Sequence, residues 1–164
     1  MHTILDPTED FLPQVGEVTL TYRSKPTIPI GDRVKLNSSY LTATFLYDEL
    51  LPRMGDLETH EEFYVLLLNS QLQPSILVNA GIGALTATVV DIKKLCRLFA
   101  ILPANQVVLC HNHPSGVVSP SRQDNALTEK IKELAQLHDN VVVDHIILAP
   151  ERGRYYSYAD ENAL

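Results

Sequence analysis

Cysteine is scarce in this chain. Cys96 and Cys110 are the two present, and their separation fits neither a CxxC redox pair nor a four-cysteine zinc site. A disulfide framework is thereby excluded, and both read as small core hydrophobes. Basic side chains are outnumbered as well: 13 Lys and Arg stand against 20 Asp and Glu, a formal net charge of −7. Proteins that grip a phosphate backbone usually show a basic stripe, so nucleic acid is not expected as the main partner. Long hydrophobic runs are missing too. None approaches the roughly 18 to 20 residues of a membrane span, and Met1-His2-Thr3-Ile4-Leu5-Asp6 has neither the basic n-region nor the apolar h-region of a signal peptide. No membrane partner and a cytoplasmic location are the expectation. Internal repeats and low-complexity tracts are absent.

What remains is 164 residues of 45% apolar composition, enough for one domain with a proper core and short for two. Pro7, Pro13, Pro26 and Pro29 mark residues 1–35 as an irregular arm, interrupted by one alternating segment, Glu17 to Tyr22, that reads as a strand. From Ser38 or Ser39 as N-cap, Leu41, Phe45, Leu46 and Leu50 recur at helical spacing, with Pro52 expected to stop the helix. Phe63 to Leu68 and Ile76 to Val78, around a turn at Asn69-Ser70-Gln71, read as a hairpin, followed by a loop through Gly81 and Gly83. Ile92, Leu95, Leu98 and Phe99 mark a helix from about Val90 to Leu102, closed by Pro103. Val107 to Cys110 is expected as a short central strand ending where the histidines begin. A helix from near Ser121, a strand from Val141 to Leu148 and a last edge strand at Tyr155 to Tyr158 complete the pattern. Strands alternating with helices imply the α/β class, a single mixed β-sheet flanked by helices.

The chemistry is expected at the end of that central strand. Cys110-His111-Asn112-His113-Pro114-Ser115-Gly116, then Ser121 and Asp124, spell H-x-H-x7-S-x2-D. Side chains alternate along a strand with period two, so His111 and His113 point the same way and can reach one ion. Pro114 and Gly116 break the strand, and the loop returns the Asp124 carboxylate from the first turn of the next helix. Two imidazoles and a carboxylate suit zinc, and three protein ligands leave a fourth position for water, the pattern of catalytic sites. Such an ion lowers the pKa of water to about 7 and polarises a carbonyl. Each residue also has a plainer reading. Ser121-x-x-Asp124 is a capping box by itself, and lone histidines serve turns and cores. The three together, across a strand-to-helix break, are much harder to obtain as unrelated residues. His145, beside Asp144 in an apolar strand, reads as structural.

The same stretch resembles the JAB/JAMM (MPN+) metalloprotease motif. The fuller run HNHPSG, PSRQD, LTEKIK, VVVDHIIL and RYYSYADE resembles the RadC-like branch of that family, from about Glu17 to the C-terminus. The resemblance implies a JAB/MPN-like domain over residues 36–164, in a cytidine-deaminase-like three-layer arrangement. It implies one Zn2+ per chain on His111, His113 and Asp124, with Ser121 helping to hold the attacking water or the oxyanion. It further implies a glutamate from an upstream strand as general acid/base. RadC-like members tend to show E-x-F-x-V there, matching Glu61-Glu62-Phe63-Tyr64-Val65, which selects Glu61; Glu62 is the alternative. One residue of register separates opposite faces of a strand, so one of the two can face the metal.

The implied activity is zinc-dependent hydrolysis of a peptide or isopeptide bond, with a protein or peptide as substrate. The helix-hairpin-helix segment of longer RadC-like proteins is not found in this sequence, so a DNA-targeting role resting on it is not expected. A nucleobase deaminase would require H-x-E and P-C-x-x-C, neither of which is present. A nuclease is disfavoured by acidity and by a one-metal ligand set. A non-catalytic or DNA-processing-associated binding module that keeps its zinc site is the alternative. Nothing in the sequence sets an oligomeric state.

Overall fold

The computed structural model describes residues 28–82, 90–102 and 104–164. The strand expected at 17–22, Gly83 and Pro103 lie outside the described residues. After a 3-10 turn at Ile30–Asp32, helix α1 runs Ser39–Met54. Ser38 caps it, its Oγ accepting from the Leu41 N–H at 3.3 Å. Pro52 does not end this helix, contrary to expectation. A proline that late removes one backbone donor, while Tyr47, Leu50 and Met54 keep the last turns packed on the sheet. The stop is Gly55, at φ +80°, whose N–H returns to Leu51 O at 3.0 Å. A Cβ built on Gly55 would meet nothing within 4 Å. Gly55→Ala should therefore cost only the backbone penalty of a positive-φ conformation, about 1–3 kcal/mol, seen as a lower denaturant midpoint.

The strands are β1 (Glu62–Leu68), β2 (Pro74–Ile82), β3 (Gln106–Asn112), β4 (Val141–Leu148) and β5 (Tyr155–Ser157). Gly81 belongs to β2, paired with Phe63, and not to a loop. The sheet order is β2-β1-β3-β4-β5. Among the described residues, only β3 and β4 pair in parallel; the other neighbours are antiparallel. A parallel pair needs a crossover, and here helix α3 (Arg122–Gln136) supplies it. Helix α2 (Ile92–Ile101), capped by Asp91, precedes β3.

Alternation along β1 divides the core in two. Tyr64, Leu66 and Leu68 pack with Leu46 and Leu50 of α1. Phe63, Val65 and Leu67 pack with Leu95 and Phe99 of α2 and with Ile131 and Ala135 of α3. One mixed sheet thus lies between α1 and the α2/α3 pair, the three layers expected. Cys110 is fully buried in the first core and Cys96 half-buried on α2. Among the described residues, no helix is long and apolar enough to cross a membrane.

Strand β3 runs two residues further than expected. His111 pairs with Phe63 and Ile147, and Asn112 with Leu148, so both neighbours hold its end straight. Open α/β sheets bind ligands in the crevice beyond the carboxyl ends of their strands, which is where His113 leaves the sheet.

Candidate metal centre

His111 and His113 project to one side from the end of β3, their Nε2 atoms 2.9 Å apart. Beyond them the chain turns through Pro114 and Gly116, the latter at φ +74°. The Gly116 N–H closes back on His113 O at 2.9 Å. That turn lets the chain re-enter as α3 beside the histidines. Ser121 caps α3 with both halves of a capping box: its Oγ accepts from Asp124 N at 3.1 Å, and Asp124 Oδ2 accepts from Ser121 N at 2.7 Å. The cap therefore fixes where the carboxylate points. Asp124 Oδ1 lies 3.3 Å from His111 Nε2, and Oδ2 lies 3.7 Å from His113 Nε2. One ligand atom from each of the three residues falls within 4.8 Å of the others, a group that could hold a metal ion.

The chemistry of the donors fits a cation. His113 Nδ1 lies 2.6 Å from Val117 O, a carbonyl that can only accept. A neutral His113 thus carries its proton on Nδ1 and its lone pair on Nε2. His111 Nδ1 is engaged by His145 at 2.8 Å, leaving Nε2 for the cluster. Burial pushes His111 down to about 4, so it is a neutral ring at pH 7. Burial opposes charge on His113 as well, but its bonds to Asp124 and Val117 O outweigh that and raise its pKa. Asp124 is held well below the carboxylate range: burial opposes this, and His113, His111 and Ser121 prevail. Two imidazoles and a carboxylate converge on one point, and the pull of Asp124 on His113 toward its protonated form marks that point as one that favours positive charge.

The three line a cleft of about 520 Å³ that also takes in Glu61, Phe63, Ser121 and Leu127. Glu61 and Glu62 part company here, as period-two alternation requires. Glu61 lines the cleft, and its charge favours the protonated form of His113. Glu62 is buried on the other side, where it takes hydrogen bonds from Tyr64 Oη at 2.7 Å and from Asn79 Nδ2, and contacts His60 Nε2 at 2.7 Å. Ser121 lines the cleft too, and as the acceptor in its cap it keeps its own hydroxyl proton to donate.

The family profile of the RadC-like JAB domain matches residues 41–163, which run from the first turn of α1 through β5. The chain belongs to the RadC-like JAB domain family. Similar proteins include a UPF0758 protein of Flavobacterium johnsoniae, 37% identical over 67% of this chain and 47% of the relative. One of Porphyromonas gingivalis is 36% identical over 72% and 51%, and one of Streptococcus gordonii is 31% identical over 84% and 62%. The chain thus spans about half the length of the first two of these curated relatives and somewhat more of the third.

Two further residues of this RadC-like JAB domain adjoin the centre: Asn112 carries no signal in the sequence, and His145 reads there as structural. The first is Asn112, between the two histidines and facing the opposite way. It is 1% exposed. Its Oδ1 accepts from Glu62 N at 2.9 Å, and its Nδ2 donates to Leu57 O at 3.0 Å and His60 O at 2.8 Å. One amide thereby ties the backbone flanking Glu61 to the strand that carries the histidines. Asn112→Ala leaves two buried backbone groups and one part-buried one without this partner and should cost about 2–3 kcal/mol, measured by denaturant unfolding. The second is His145. It is fully buried, touching His111 across the parallel β3–β4 pair and lying under the Tyr158 ring at 4.7 Å. Its position in an apolar strand gives the structural reading; the signal that links it to His111 is a second histidine on a strand parallel to the first.

Proposed function

We propose that this RadC-like JAB domain is a zinc-dependent hydrolase of the JAMM type, acting on a peptide or isopeptide bond. The observation that carries the reading is the placement of Glu61 on the same cleft wall as His111, His113 and Asp124. A carboxylate within the cleft that holds the ligand set is what general acid/base catalysis requires.

His111 Nε2, His113 Nε2 and Asp124 would hold the ion. When bound, zinc supplies Lewis acidity toward a carbonyl and acidifies water in its open position. The chain's own groups do the rest. Glu61 accepts the proton of the attacking water at a carboxylate oxygen and delivers it to the leaving amine nitrogen. Ser121 Oγ donates to the oxygen of the tetrahedral intermediate. Phe63 and Leu127 give the cleft an apolar wall that limits water around these groups. The Asp124 carboxylate, locked by the cap, keeps the helix side of the site in register with β3.

The test is elemental analysis of protein dialysed with zinc, followed by assays on peptide and isopeptide-linked substrates with and without chelator. Stoichiometric zinc and chelator-sensitive turnover are expected. A folded wild type that takes up no metal would sink the reading. Zinc uptake with no cleavage of either bond class would instead favour the binding module.

A further inference from the structure

We infer that His145, held by Thr128, is a positioning residue that sets which nitrogen of His111 bears the proton and thereby presents the His111 Nε2 lone pair to the metal. The inference rests on the metal reading above. It follows from a chain of hydrogen bonds whose direction is fixed at one end.

That end is the backbone carbonyl of Asp124. Thr128 Oγ1 lies 2.6 Å from Asp124 O, and a carbonyl can only accept, so the single hydroxyl proton of Thr128 is used there. Towards His145 Nδ1, at 2.7 Å, the hydroxyl can then only accept. His145 carries its proton on Nδ1, and a ring with one proton offers a lone pair at Nε2. The atom facing that lone pair, at 2.8 Å, is His111 Nδ1, which must be the donor. The remaining nitrogen of His111, Nε2, is left bare toward His113 and Asp124.

Packing holds the relay in place. Phe63 presses edgewise on His145 at 5.6 Å and stacks on His111 at 6.0 Å. Tyr158 stacks on His145 within 8° of parallel and donates from Oη to Asn125 Oδ1 of α3 at 2.8 Å. The His145 backbone is pinned by Asp144 Oδ1 at 2.7 Å on its N–H and by the Tyr158 N–H at 3.1 Å on its carbonyl. A histidine serving only the core would be satisfied by either polarity of this chain. Here the polarity is dictated, and the chain runs from the backbone of one ligand to the ring of another, joining α3 to β3 through β4. Partners of this kind on metal-bound histidines are worth about 10–100-fold in affinity.

Thr128→Val keeps the shape of the side chain but removes the acceptor for His145 Nδ1–H. His145 is then free to carry its proton on Nε2, which reverses the bond to His111 and puts the His111 proton where the metal should bind. Two measurements test this. Long-range 1H–15N spectra of the metal-free wild type should show both His145 and His111 with the proton on Nδ1; a proton on Nε2 of His145 overturns the inference. Competition with a chromophoric chelator should show zinc held about 10–100-fold less tightly by Thr128→Val and at close to wild-type strength by Thr128→Ser. If the wild type binds no zinc, the metal reading fails and takes this inference with it. If wild type and Thr128→Val bind alike, only this inference fails.

Discussion

Glu61→Gln is expected to lower turnover by about 10²–10⁴-fold, the usual worth of a positioned general acid/base, while zinc content and melting temperature stay at wild-type values. The amide keeps the shape of the side chain and its place on the cleft but cannot take the proton of the attacking water. Glu62→Gln should do the reverse. Glu62 lies on the opposite face, buried among Tyr64, Asn79 and His60. Burial and the bond to Glu62 push the Tyr64 phenol up to about 12, so it is a firm neutral donor to that carboxylate. Weakening this buried cluster should cost about 1–3 kcal/mol, with turnover per folded molecule nearly unchanged. Rates measured beside thermal unfolding separate the two carboxylates. Full activity in Glu61→Gln would remove that residue from the mechanism.

Asp124→Ala should abolish zinc-dependent stabilisation. For the wild type, free zinc at about 100 times Kd adds roughly 2.7 kcal/mol to folding. For a chain of this size that is on the order of 5 to 10 °C in melting temperature. The alanine variant should show no such rise, because two imidazoles without the carboxylate hold the ion poorly. Asp124 also closes the capping box, so the same variant loses a helix-start hydrogen bond, on the order of 1 kcal/mol, whether or not zinc is present. Asp124→Asn separates the two roles. It retains an acceptor for the Ser121 N–H and should keep most of the metal-free stability, yet lose the charge that the ion needs. Melting curves of all three proteins, with chelator and with zinc, check this. A zinc-induced rise in Asp124→Ala equal to that of the wild type would exclude the carboxylate as a ligand.

The two readings of Ser121-x-x-Asp124, cap or site, prove compatible. The cap uses Asp124 Oδ2 and leaves Oδ1 nearest His111, so a local helix signal also aims the carboxylate of a group that could hold a metal ion. Helix starts at Ser38 and Ser121 were legible for the same reason: a cap is a contact between residues three apart. The helix end expected at Pro52 failed because the loss of one backbone donor is a local penalty, and packing of Tyr47, Leu50 and Met54 on the sheet exceeds it. The end of β3 was misplaced because a strand persists as long as its neighbours pair with it. Phe63, Ile147 and Leu148, which pair with His111 and Asn112, are remote in sequence.

By itself the sequence determined the order of helices and strands, the shared side of His111 and His113, and the return of Asp124 at a helix start. All of these rest on interactions within a few residues and on the period-two geometry of an extended chain. Only the tertiary structure decided which of Glu61 and Glu62 faces the cleft, that His145 touches His111, and that Asn112 ties the backbone flanking Glu61 to β3. Alternation says that two neighbours face opposite ways but not which way is which, until α1 covers one side of the sheet and α2 and α3 the other. The partners of His145 come from β3, α3 and the segment after β5, and those of Asn112 from the chain before β1 and the first residue of β1. They are brought together only by the order β2-β1-β3-β4-β5.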